Sequence, residues 1–88
     1  MANHKSALKH HRQSIERRNR NRRNRSRMRT AIKRFRKLVE GGELDQARTL
    51  LSPTLGLIDR TAKLGGIHDN AAARTKSRLT RALNRAAG

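Results

Sequence analysis

The sequence predicts an all-α fold, a three-helix up-down-up bundle whose long first helix extends beyond the core. Three observations predict it: apolar residues recur at helical spacing in three segments, Gly-Gly pairs at 41–42 and 65–66 separate those segments, and no Pro or Gly precedes residue 28. Short links of this kind are typical of antiparallel helix bundles. Within one domain spanning 1–88, we expect bundle helices over residues 28–40, 43–64 and 68–86.

The first helix has an apolar stripe only near its C-terminal end. At about 100° per residue, the stripe occupies an arc of about 120° and consists of Met28, Ala31, Ile32, Phe35, Leu38 and Val39. Upstream, Arg, Lys, Ala, Leu and Gln all favour helix. The first helix can therefore begin near residue 5, and we expect residues 1–27 to form a basic arm or helical extension.

The second helix carries a Pro inside its apolar pattern. Its main apolar stripe spans an arc of about 80° and comprises Leu44, Ala47, Leu51, Leu55, Ile58 and Ala62. A second apolar seam lies beside the stripe and consists of Leu50, Leu57 and Leu64. A Pro in a helix interior costs about 3 kcal/mol. Because the stripe keeps its phase across Pro53, one kinked helix is a better interpretation than two helices. Two seams indicate contact with both neighbouring helices.

The third helix has one apolar and one basic face. The apolar arc, about 120° wide, contains Ala71, Ala72, Thr75, Leu79, Ala82, Leu83 and Ala86. The basic arc, about 60° wide, contains Arg74, Arg78, Arg81 and Arg85. We expect Asp69 or Asn70 to be the N-cap. The core predicted from all three stripes is small and mostly Leu and Ala, so the bundle should be only marginally stable.

The net charge of the chain limits the kinds of partner that it can bind. The 88 residues include 23 Lys or Arg and six acids, a net charge of +17, and residues 1–37 hold 15 of the basic residues with one acid. Such a chain needs a polyanionic partner. Phe35 is the only aromatic residue, so bases cannot stack on an aromatic platform. No apolar run is long enough for a membrane span or a signal peptide, so we expect an intracellular protein.

The basic arm ends within the stretch ERRNRNRRNRSRMR, residues 16–29, in which eight of 14 residues are Arg. On a helix these Arg surround the axis, with no gap larger than about 100°. A membrane-surface helix needs an apolar face, and a helix in one DNA groove needs charge mainly on one side. Charge on every side favours insertion among the phosphate backbones of folded RNA. Alternatively, residues 1–25 are a disordered tail. The two interpretations combine if this segment is disordered without RNA and helical when bound.

For several polar residues, the sequence allows both an RNA contact and a role without RNA. Asn19, Asn21 and Asn24 either hydrogen-bond RNA or are solvated, and His68 either caps the third helix or contacts RNA. The sequence offers no catalytic constellation, because its six acids are scattered and it has no Cys. We therefore predict no enzyme activity, no cofactor and no small-molecule substrate. We also predict no metal site, because no acid lies near the remaining His residues, His4, His10 and His11.

Three segments resemble the bacterial small-subunit ribosomal protein S20 family: MANHKSALKHHRQ at the N-terminus, SRMRTAIKRF from Ser26, and IHDNAAARTKSRL from Ile67. The resemblance implies a three-helix bundle with a very long first helix. It also implies direct, early binding to 16S ribosomal RNA low on the body of the small subunit, where the protein holds parts of the five-prime domain together and approaches the long stem near the three-prime end. One departure is Asp69, where the family usually has a basic residue; this puts a phosphate contact there in doubt.

Matching positions imply RNA-facing residues in three motifs: Asn3, His4, Lys5 and Ser6; Ser26, Arg27, Arg29 and Lys33; His68, Asn70, Arg74, Lys76, Ser77 and Arg78. The charge pattern adds Lys9, Arg12, Arg17, Arg18, Arg20, Arg22, Arg23, Arg25, Arg81 and Arg85. We predict a structural constituent of the small subunit that binds 16S RNA and bridges RNA segments, ribosome-bound in the cytoplasm and not a homo-oligomer. A DNA-condensing nucleoid protein is the alternative; a cationic membrane-active peptide is a third, disfavoured by the missing apolar face.

Overall fold

Three α-helices account for nearly all of the described chain. The computed structural model describes residues 3–88, with side-chain surroundings from Ser6 onward. The helices are α1 (Asn3–Glu40), α2 (Leu44–Lys63) and α3 (Asp69–Ala87), which confirms the predicted all-α fold with a long first helix. The C-terminal end of α1 and both ends of α2 and α3 lie within one residue of the expected boundaries.

The two links between helices have the same hydrogen-bonded geometry. Gly42 and Gly65 adopt φ values of 76° and 86°, a left-handed conformation that glycine reaches without a steric penalty. In the first link, the N–H of Glu43 donates to the carbonyl of Leu38 at 2.9 Å; in the second, the N–H of Gly66 donates to the carbonyl of Thr61 at 2.8 Å. Both are Schellman motifs, which close the C-terminal turn of a helix and reverse the chain.

The core lies where the three predicted stripes meet. Its buried apolar residues come from all three helices: Met28, Phe35, Ala47, Ile58, Ala72, Leu79 and Leu83. α2 packs against both other helices, whereas α1 and α3 touch at few positions, as the two seams of α2 indicate. Two members of the predicted α3 arc are exposed instead. Ala71 lies at the edge of the arc, and Ala86 lies in the last turn of α3.

α2 continues through Pro53 as one helix, as the unbroken phase of its stripe indicates. Its core face also buries two polar residues, Thr54 and Thr61, that apolar periodicity could not single out. Thr61 is fully buried, and its hydroxyl donates to the carbonyl of Leu57 at 2.8 Å. That bond satisfies a polar group that would otherwise be costly to bury.

α1 is much longer than the bundle it belongs to. Residues 6–20 are all exposed, and burial begins at Asn21. At about 1.5 Å per residue, the part of α1 before Asn21 extends roughly 27 Å beyond the bundle. The molecule is consequently a rod, with extents of 66 × 19 × 14 Å. The expectation that residues 1–25 are disordered without RNA stays a prediction.

Candidate nucleic-acid interface

The basic arm presents its charge to solvent on every side of α1. From Ser6 onward, every residue of α1 that the sequence predicts to face RNA is exposed except Arg25; the exposed set is Ser6, Lys9, Arg12, Arg17, Arg18, Arg20, Arg22, Arg23, Ser26, Arg27, Arg29 and Lys33. Among residues 6–88, the ion pairs are Arg48 with Asp45 and Lys76 with Asp59, so no arm guanidinium is neutralised by a carboxylate. The side chains of Asn3, His4 and Lys5 lie outside the described residues.

The root of the arm is attached to the turn between α2 and α3. The Arg25 guanidinium Nη1 donates to the carbonyl of Gly66 at 3.5 Å, joining positions 41 residues apart. Gly66 also packs against α1, since a Cβ placed there would lie in van der Waals contact, 3.6 Å from the backbone oxygen of Asn21. The side-chain oxygen of Asn21 is buried there and has no hydrogen-bond partner. The turn therefore packs against α1 at the level of Asn21 and Arg25.

This junction corrects the interpretation of two Asn residues. Asn24 is only 9% exposed and Asn21 is half-buried, so neither is a simple solvated position or a freely offered RNA contact. Residues 21, 24 and 25 precede Met28 by seven, four and three positions, so they lie on the same face of α1 as Met28. They continue the core-facing stripe of α1 with polar side chains. Contact with the bundle thus begins one to two turns before Met28. Asn19, by contrast, is exposed and keeps both interpretations.

His68 caps the third helix, and the expected N-caps Asp69 and Asn70 are wrong. His68 has an extended backbone (φ −73°, ψ 147°), and its Nδ1 accepts a hydrogen bond from the backbone N–H of Asn70 at 3.0 Å. The imidazole thereby does the work of a capping carboxylate or hydroxyl. Asp69 becomes the first helical residue, where a negative charge is favourable to the helix dipole. His68 and Asn70 remain exposed beside the arm root.

The basic face of α3 is solvent-exposed, as predicted. Its four Arg residues are all exposed, and so is the neighbouring Ser77; the four are Arg74, Arg78, Arg81 and Arg85. Lys76 differs, because its ammonium contacts the carboxylate of Asp59 on α2 at 2.7 Å, with the Lys76 side chain 35% exposed. A phosphate at Lys76 would have to compete with that carboxylate, so its charge is less available than that of the neighbouring Arg residues.

Two further observations bear on other kinds of site. Between residues 3 and 88, no helix is both long and apolar enough to cross a membrane. Over the described chain, His, Asp and Glu nowhere gather in a group of three that could hold a metal ion. What the structure does present is a rod with two exposed basic surfaces, one around the arm and one along α3, that meet near the α2–α3 turn.

Such a molecule falls in the class of small, basic helical proteins that bind polyanions. Comparison with known proteins identifies one family: a family model, described as ribosomal protein S20, matches residues 2–84 of this chain. The chain therefore belongs to the ribosomal protein S20 family. Membership confirms the predicted ribosomal role and the prediction that the chain is not an enzyme.

Curated relatives match over nearly the whole chain. A protein of Maridesulfovibrio salexigens is 46% identical over 87 residues, covering 99% of this chain and 100% of the relative. A protein of Aquifex aeolicus is 45% identical, covering 98% and 92%. A third, from Desulforapulum autotrophicum, is 52% identical, covering 94% and 99%. Each of these relatives is named small ribosomal subunit protein bS20.

Proposed function

We propose that this chain is a structural constituent of the small ribosomal subunit that binds directly to 16S ribosomal RNA. It is ribosome-bound in the cytoplasm, and it aids subunit assembly by bridging RNA segments. The observation that carries the proposal is the pair of exposed basic surfaces on one 66 Å rod. Family membership and the naming of the relatives support the choice of small-subunit RNA as the polyanion.

The arm supplies most of the binding surface. Its guanidiniums have no carboxylate partners within the described residues, so each can contact phosphate. Because they surround the helix, they can contact several backbones at once, which a single duplex does not present to one helix. Folded RNA with closely packed helices matches that arrangement.

The α3 face supplies the second contact needed for a bridge. It descends the bundle from the α2–α3 turn, whereas the arm extends beyond that turn in the opposite direction. RNA bound by the arm and RNA bound by α3 would therefore lie at different heights along the rod. Because α1 is one continuous helix that packs into the bundle, the two surfaces belong to one rod, and the protein acts as a spacer between RNA segments.

Equilibrium binding of the purified chain to 16S RNA tests the proposal. Length-matched duplex DNA is the competitor, because it offers similar charge density but no folded array of backbones. At moderate salt we expect clear preference for 16S RNA and an affinity that falls steeply as salt rises. Equal affinity for both polymers would contradict the proposal and favour the DNA-condensing alternative.

A further inference from the structure

Two large apolar side chains on the arm remain exposed. Leu8 is 55% exposed and Ile15 is 44% exposed. They stand seven residues apart, so they lie about 20° from each other around the helix and about 10 Å apart along its axis. Leu8 and Ile15 together form the arm's apolar pair, on a helix otherwise dominated by charge.

The apolar pair cannot be covered by the chain's own bundle. Met28 and Phe35 mark the side of α1 that faces the core. By helical phase, the pair lies on the opposite side of α1, roughly 160° away. The pair also belongs to the exposed segment 6–20, which extends beyond the bundle. A partner must cover these side chains if anything does.

Charge limits what that partner can be. Arg12 and Arg22 flank the apolar pair, each about 40° from Leu8 and on opposite sides of it. Glu16 is the only acid in residues 1–37, so a second copy of the arm would be repelled. The partner must therefore offer negative charge on both flanks of a narrow apolar strip. The minor groove of A-form RNA lies between two phosphate backbones, and it is wide and shallow enough for a helix to reach the riboses, whose carbons lie beside the displayed 2′-hydroxyls.

We propose that Leu8 and Ile15 seat the arm in the minor groove of an RNA helix, packing against ribose carbons while Arg12 and Arg22 contact the phosphates on either side. This assignment rests on the proposed binding to 16S RNA and specifies how one face of the arm is used. It gives the arm a preferred rotation about its axis, which the all-round charge alone would not provide.

The test replaces both apolar side chains by Ala in the full chain, L8A with I15A. Ala has a higher helix propensity than Leu or Ile, so a loss of binding cannot arise from a weaker helix. Gln13→Ala is the matched control, because Gln13 is exposed, of similar size, and on another side of α1. Binding to 16S RNA is measured at several salt concentrations, together with 2′-hydroxyl acylation of the RNA.

We expect the double variant to bind about tenfold more weakly, from the apolar area it no longer buries. The slope of log affinity against log salt should stay unchanged, because no phosphate contact is removed. Ribose protection should be lost over a short stretch of one RNA helix. Gln13→Ala should bind within about twofold of the parent chain.

Other results separate the two levels of the argument. If the parent chain fails to prefer 16S RNA, the proposed function fails and the inference fails with it. If the parent chain binds but the double variant binds equally well, only the minor-groove assignment is overturned. Unchanged RNA binding with poorer incorporation into small subunits would also overturn it, and would identify another protein as the partner of the pair.

Discussion

Substituting Gly66 by Ala tests how tightly the α2–α3 turn is packed. The new Cβ would lie 2.7 Å from Cγ2 of Thr61 and 3.2 Å from its backbone oxygen. Carbon atoms in contact are normally about 3.5–4.0 Å apart, so the methyl groups must separate by about 1 Å. Thr61 cannot rotate freely, because it is fully buried and its hydroxyl bonds to Leu57. Gly66 has no positive φ, so the penalty is steric.

Overpacking of this kind costs about 1–3 kcal/mol. In a domain of this size, each kcal/mol lowers the melting temperature by about 4–8 °C. We therefore expect Gly66→Ala to melt at least about 4 °C below the parent chain, measured by circular dichroism at 222 nm.

Two further variants decide whether the clash is the cause. Gly56→Ala is the control, because nothing lies within 4 Å of a Cβ placed there and Ala in a helix interior is favoured by roughly 0.5–1 kcal/mol. Thr61→Ser removes Cγ2 but keeps the hydroxyl, so it should restore part of the stability lost in Gly66→Ala. If Gly66→Ala is as stable as Gly56→Ala, or Thr61→Ser restores nothing, the packing argument is refuted.

The remaining predictions concern the helix cap, the arm and the α3 face. His68→Ala should destabilise the bundle by about 0.5–2 kcal/mol in chemical denaturation, whereas His68→Asn should retain the cap; equal loss in both would contradict the capping role. Amide hydrogens of residues 6–20 should exchange quickly in the free chain and slowly with RNA; fast exchange in the complex would contradict a helical bound arm. Gln at three exposed α3 positions should weaken RNA binding, reduce the salt slope by about 2–3 and leave the melting temperature unchanged, and an unchanged slope would contradict phosphate contacts there; the positions are Arg74, Arg78 and Arg81.

The fold was largely predictable because apolar spacing and glycine position are local signals. Phe35, Ile58 and Leu79, which are fully or almost fully buried, each stand in a predicted stripe. The continuity of α2 through Pro53 was also predictable, because the apolar residues on both sides of Pro53 share one helical phase. Propensity and periodicity agree along this chain, and such agreement makes a bundle predictable.

The junction between arm and turn was not predictable in the same way. Burial of Asn24 depends on a turn more than 40 residues downstream, and apolar periodicity does not count polar side chains. One signal was available: a Schellman turn needs a single glycine, so Gly66 after Gly65 indicates tight packing at that position. The tightest contact there is with Thr61 of the same turn, and the looser contact with Asn21 is known only from the three-dimensional arrangement.

The candidate interface was predicted by charge and by resemblance, and the structure redistributes roles within it. His68 acts as a cap, which leaves only its outer ring edge for RNA. Lys76 is held by Asp59, a pairing that sequence spacing across two helices does not reveal. One N–H donor of Arg25 is used in the hydrogen bond to the carbonyl of Gly66. Exposed Arg residues on the arm and on α3 therefore remain the main phosphate contacts that we propose.

Sucrose-gradient fractionation of a cell lysate, probed for this chain, tests the central claim most directly. If the chain is a constituent of the small subunit, it should sediment with that subunit at low magnesium and move with the whole ribosome when the subunits are joined. Removal of RNA by ribonuclease should release it. Sedimentation with the nucleoid, insensitive to ribonuclease and released by deoxyribonuclease, would contradict the account.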